Sequence, residues 1–116
     1  MGFRSRFEAE VAGSLRHRGI SFGYETIHLG YQLQGVYTPD FVLPNGVVVE
    51  AKGAFSPADR RKMLAVREAH PELDIRLLFQ RASARIVGGK LSCGAWATRN
   101  GFTWAEGVIP SAWADA

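Results

Sequence analysis

One run of sixteen residues, 37–52, constrains this chain more than any other: Tyr-Thr-Pro-Asp-Phe-Val-Leu-Pro-Asn-Gly-Val-Val-Val-Glu-Ala-Lys. Two short apolar, largely β-branched runs, 41–43 and 47–49, flank Pro44-Asn45-Gly46, and such runs fit strands. Proline suits the first central position of a type I turn, Asn the second, and Gly the left-handed residue that follows. That three-residue loop sets a register in which Leu43 pairs with Val47, Phe41 faces Val49 and Asp40 faces Glu50. Lys52, two residues beyond Glu50, shares its face. A two-residue Asn45-Gly46 turn would instead set Asp40 opposite Ala51. A slip of one residue would carry Glu50 and Lys52 to the other face.

In the first register two carboxylates and an amine converge at the open end of a hairpin. Paired carboxylates make a hard-oxygen site for Mg²⁺, with Mn²⁺ as substitute. A lysine beside them can orient a water and offset charge on a phosphate undergoing attack. Arginine, a broad and permanently charged fork, would replace it poorly. The chain has only three lysines (Lys52, Lys62, Lys90) among its 14 basic residues, so lysine here runs against its own bias. Glu-x-Lys alone is common on exposed strands. Pro-Asp, a hairpin and Glu-x-Lys in this register together match the signature of PD-(D/E)xK nucleases.

The length, 116 residues, suits one domain with one core, residues 1–116. A hydrophobic content of 47% argues for a packed protein. The formal net charge of +3 fits a polyanionic partner. The single cysteine, Cys93, excludes an internal disulfide and suits a reducing cytosol; it reads as a small core residue. No apolar run is long enough to span a membrane, and no apolar signal core is seen.

Residues 5–18 read as a helix with Phe7, Val11 and Leu15 as its buried stripe and Gly19 as its stop. Ser5 and Glu8 have capping-box spacing. The helical angle also sets Glu8 on the flank of the stripe, from which a carboxylate can reach inward to a metal. Residues 20–27 alternate as a strand. Residues 28–36 read as an extended connector or bridging strand. Ser56, Pro57 and Asp59 open a helix that runs to about residue 69, with Met63 and Val66 inward. Residues 74–80 form a strong strand and 86–87 a short one. A helix covers 92–100, a strand 102–104, and a short helix carries Trp113. This order predicts an α/β domain with a mixed sheet flanked by helices. Arg4, Arg6, Arg60, Arg61, Lys62, Arg67, Arg81, Arg85 and Lys90 are candidate phosphate contacts.

Beyond these readings, the sequence resembles the phage endonuclease I family, the Holliday junction resolvases of short-tailed phages. The matching segments are Phe3-Arg4-Ser5 with Glu8, Gly19-Ile20 through Tyr24-Glu25, Tyr37 through Gly46, and Glu50-x-Lys52-Gly53. They continue with Asp59-Arg60, Arg67-Glu68, His70 through Arg76, and Ile109-Pro110 with Trp113. The resemblance implies a restriction-endonuclease-like fold and metal-dependent cleavage of branched DNA in the cytoplasm of a bacterial host. It implies Glu8, Asp40, Glu50 and Lys52 as the catalytic set, with Asp40 and Glu50 the principal metal ligands. The Ala51 carbonyl is implied as a further ligand, and Glu8 as a ligand of a second ion. It also implies an intertwined, domain-swapped homodimer in which residues 28–36 bridge the halves and Glu8 completes the partner's site. The stretch between Tyr24 and Tyr37 is a little shorter than in the family's best-known member. That member's basic segments at both ends are missing from this sequence. Two rival functions remain: a nicking or sequence-specific restriction-type nuclease, and a branched-DNA-binding protein without catalysis.

Overall fold

The computed structural model describes residues 2–31 and 35–115. Helix α1 spans Arg6–His17, α2 Pro57–Ala69 and α3 Cys93–Arg99, and a 3₁₀ turn spans Ser111–Ala114. Strands β1 (Gly23–Tyr24), β4 (Phe41–Val42), β5 (Val48–Lys52), β6 (Ile75–Phe79) and β7 (Thr103–Glu106) form one sheet in the order β1-β4-β5-β6-β7. Strands β2 (Leu29–Tyr31) and β3 (Gly35–Tyr37) form a separate antiparallel pair.

The expected hairpin register holds. Phe41 pairs with Val49 and Val42 with Val48. Leu43 N–H donates to the Val47 carbonyl at 2.8 Å, and Gly46, at φ +90°, donates to Leu43 at 2.9 Å. Only glycine enters that backbone region without a Cβ penalty. The turn is also tied down at its tip. The Asn45 side-chain amide donates to the carbonyls of Trp113 (2.8 Å) and Asp115 (2.7 Å).

From β5 the chain crosses through α2 and returns parallel as β6. The next crossover, through α3, returns parallel as β7, which makes the sheet mixed as predicted. Alternation along β5 sorts its side chains between two apolar clusters. Val48 packs with Met63, Val66 and Trp96 under α2 and α3. Val49 and Ala51 pack with Val11 and Leu15 of α1 and with Trp113. Burying one such aliphatic side chain contributes about 1.5–3 kcal/mol, so both layers hold β5 firmly. Cys93 is buried, as a core residue.

Three expectations require correction. The strand expected over 20–27 is only two residues long, because Glu25 adopts a left-handed φ of +52° that ends the extended run. The 28–36 connector does not stay a single extended segment. Its two ends pair antiparallel as β2 and β3, with Leu29 opposite Tyr37, and residues 32–34 of the 28–36 bridge reading lie outside the described residues. Residues 86–87 form no strand. Their N–H groups donate to the Leu91 and Phe55 carbonyls instead, beside an isolated Arg85–Ser92 bridge.

Candidate active site

Asp40 enters the site at the base of β4. Its Oδ2 accepts the Ala51 N–H at 3.0 Å, and its own N–H donates to Glu50 Oε2 at 2.7 Å. These two bonds across the hairpin lock the carboxylates of adjacent strands side by side. Both are 2% exposed. Burying charge without full pairing is costly, and acids so placed resist ionisation. Burial first, and then the negative charge of Glu8, raises Asp40 to about 6 against the pull of Ala51, Lys52 and Arg4. Burial first, and then Asp40, raises Glu50 to about 8 against the pull of Lys52 and Lys62.

Glu8 serves the helix and the site with different atoms. Its N–H donates to Ser5 Oγ at 3.0 Å, so Ser5 caps α1. Its carboxylate turns inward and accepts a short hydrogen bond from the Tyr24 hydroxyl. That hydroxyl also accepts the Arg4 N–H at 3.0 Å. Burial and the bond to Glu8 push the Tyr24 phenol up to about 12.

A further carboxylate, Glu25, completes an acidic group that sequence reasoning missed. Its N–H donates to the Pro39 and Asp40 carbonyls at 3.2 and 3.3 Å, which seats it beside Asp40. Glu8, Glu25 and Asp40 each offer a carboxylate oxygen within 4.8 Å of the others, an arrangement able to hold a metal ion. Glu50, expected as a principal ligand with Asp40, lies next to this group with one oxygen engaged on the Asp40 N–H. Alternation alone gave no sign of Glu25. A non-glycine residue at positive φ carries no pattern that announces it.

Lys52, 16% exposed at its side chain, lies 3.3 Å from Asp59 Oδ1. The sequence marks Asp59 only as a helix cap. It does close the capping box, accepting the Ser56 N–H at 3.2 Å while Ser56 Oγ accepts its N–H at 3.1 Å. Burial works against the Asp59 charge, but Lys52 and Ser56 together hold its carboxyl below the usual range.

The basic candidates differ in what holds them. Arg4, on the rim, pairs with Glu25 at 2.6 Å and reaches Asp40 at 3.4 Å. Arg60 donates to the Phe55 and Val87 carbonyls, and Arg67 donates to the Asn100 carbonyl and lies 4.3 Å over the Phe102 ring. Those two guanidiniums brace the fold. Lys62 lies 5.7 Å over the Tyr37 ring, whose phenol is pushed well up by burial and by Glu50 and Asp40. Arg6, Arg61, Arg81, Arg85 and Lys90 are exposed.

Buried acids with an ammonium group beside them, at the open end of a hairpin in a mixed sheet, make an arrangement able to hold a cation. The chain belongs to the phage endonuclease I family, whose model matches residues 1–116, and it is an endonuclease. It is 42% identical over 114 residues to "Endodeoxyribonuclease 1" of Enterobacteria phage T3, covering 95% of this chain and 75% of the relative. To "Endonuclease I" of Escherichia phage T7 it is 41% identical over 115 residues, covering 96% and 77%. Among the described residues no helix is long and apolar enough to cross a membrane.

Proposed function

We propose that this chain is a Mg²⁺-dependent, structure-selective deoxyribonuclease. It cuts four-way junctions and other branched DNA by phosphodiester hydrolysis, in the cytoplasm of a phage-infected host. The observation that carries this reading is the carboxylate group around Asp40, with Lys52 alongside. The name of the phage T3 relative supports DNA as the substrate. The donor set fits the ion: every ligating atom of Glu8, Glu25 and Asp40 is a carboxylate oxygen, and nothing soft is present. When bound, a divalent cation supplies Lewis-acid stabilisation of charge building on the phosphate oxygens.

The remaining work falls to the chain's own residues. Asp40, with Glu8 and Glu25 and with Glu50 alongside, forms the ion's seat in a buried, low-dielectric corner, where a charge acts more strongly than in water. Lys52 keeps a proton at Nζ to orient the attacking water and the scissile phosphate. Arg6, Arg61, Lys62, Arg81, Arg85 and Lys90 draw in the backbone without reading bases, so selectivity follows branch shape. The hairpin leading into a parallel β-α-β unit supports a restriction-endonuclease-like fold for a single nuclease domain. A four-way junction and a matched linear duplex, incubated with Mg²⁺, test the assignment. Paired cuts near the branch of the junction, with the duplex left nearly intact, are expected. Equal or absent cleavage of the two, or cutting at one defined sequence in plasmid, defeats the junction reading.

The active form is a homodimer that exchanges its N-terminal elements through the β2–β3 segment, so that Glu8 of one chain meets Asp40 of the other. Within one chain these side chains already fit together, so exchange preserves the contact while linking two sites by a twofold axis. A junction requires two symmetric cuts. Refolding Glu8→Ala together with Asp40→Asn chains should regenerate one intact site per mixed dimer and restore single-strand nicking. Mixtures that stay inactive would rule out the shared site.

A further inference from the structure

The Lys52–Asp59 pair has a consequence for the metal seat. Lys52 stands between two sets of acids. On one side is Asp59, whose carboxylate accepts the Ser56 N–H while its own N–H donates to Ser56 Oγ at the start of α2. On the other are Asp40 and Glu50, buried and close enough for the Lys52 charge to act on both. The main chain leaves Lys52 little freedom: its carbonyl accepts the Gln80 N–H at 2.9 Å, and only residues 53–56 separate it from α2. A buried carboxylate attracts an ammonium group more strongly than a solvated one does. Lys52 would therefore fall onto Asp40 if nothing held it back, and a monovalent cation resting there competes with a divalent one.

We infer that Asp59 is a positioning residue that holds the Lys52 ammonium off the carboxylates that seat the metal. It keeps the seat free for the ion and Nζ directed toward water and phosphate. The helix cap is thus a fixed counterweight as well as a stabilising turn. This inference rests on the proposal that a divalent ion binds beside Asp40, and the experiment separates the two.

Mn²⁺ binding to the full chain without DNA is measured by titration calorimetry, alongside thermal melts. Asn at 59 can still accept the Ser56 N–H, so Asp59→Asn removes charge with little loss of capping. It should weaken Mn²⁺ binding about tenfold, within the range for groups that support metal ligands, and lower kcat. Adding Lys52→Met to Asp59→Asn should restore the Mn²⁺ affinity, because the competing cation is gone. Ser56→Ala breaks the same box but keeps the Asp59 charge. It should lower the melting temperature and leave Mn²⁺ affinity unchanged. Wild-type affinity in Asp59→Asn, or no recovery in the double variant, overturns the inference while leaving the metal reading intact. Absence of Mn²⁺ binding by the wild type, or wild-type binding by Asp40→Asn, removes the metal reading and this inference with it.

Discussion

Glu50→Gln is expected to melt about 5 °C above the wild type near pH 8.5 without divalent metal, and to cut DNA about 10²–10³-fold more slowly. The two effects share one cause. Glu50 is raised to about 8 in the folded chain, by burial first and then by the charge of Asp40. Unfolded, it returns to the ordinary range near 4.5. Between those values the folded state holds a proton that the unfolded state has lost, so stability falls as pH rises. The contribution is fully present below about pH 4.5 and is lost as pH climbs through 8. Asp40 adds a loss of the same sign that is complete earlier, as pH passes about 6. Glutamine keeps an oxygen for the Asp40 N–H and carries no charge to bury. Melts of the wild type from about pH 5 to 9 should therefore decline, those of Glu50→Gln should decline less, and Mn²⁺ should stabilise the wild type most at high pH. A wild-type melting temperature that is flat across this range, or a lower one for Glu50→Gln near pH 8.5, would contradict the burial argument.

Lys52→Ala should reduce single-turnover cleavage by about 10²–10³-fold while junction affinity changes by less than about threefold. The side chain is mostly buried beside the acids and paired with Asp59, so it contributes little to the exposed surface that meets the DNA backbone. Removing it leaves the acids and the fold in place and takes away the group proposed to orient water and phosphate. Gel-shift titration in Ca²⁺, paired with quenched-flow cleavage in Mg²⁺, separates the two quantities. A variant that still cuts at the wild-type rate would take Lys52 out of the chemistry. A variant that loses binding and cutting equally would make it a phosphate contact.

How much of this was legible in the sequence depended on how local the governing physics was. Pro44-Asn45-Gly46 set the hairpin register because turn chemistry acts within a few residues. The same holds for the box of Ser56 and Asp59 and for α3 between Ser92 and Gly101. Once the register was in hand, Asp40, Glu50 and Lys52 had to approach one another. Glu8 was visible as both a cap neighbour and an inward acid, and both atoms found partners. Glu25 was invisible because its place depends on a backbone twist and on two carbonyls fourteen and fifteen residues later. Arg60 and Arg67 read only as candidate phosphate contacts because their carbonyl partners, Val87 and Asn100, lie on later loops. The Lys52–Asp59 pair was missed for a different reason: a residue with one satisfying local role offered no hint of a second.

The Asn45 amide has a reach beyond the loop it caps. It grips the carbonyls of Trp113 and Asp115 at one end of the hairpin, while the acids sit at the other end. A cut in the chain just before Trp113 would therefore remove no ionisable group of the site, yet it would release the clasp on the loop that aligns them. Loss of cleavage after such clipping would be a fault of alignment transmitted along two strands, curable by a graft that restores the clasp and not by more magnesium.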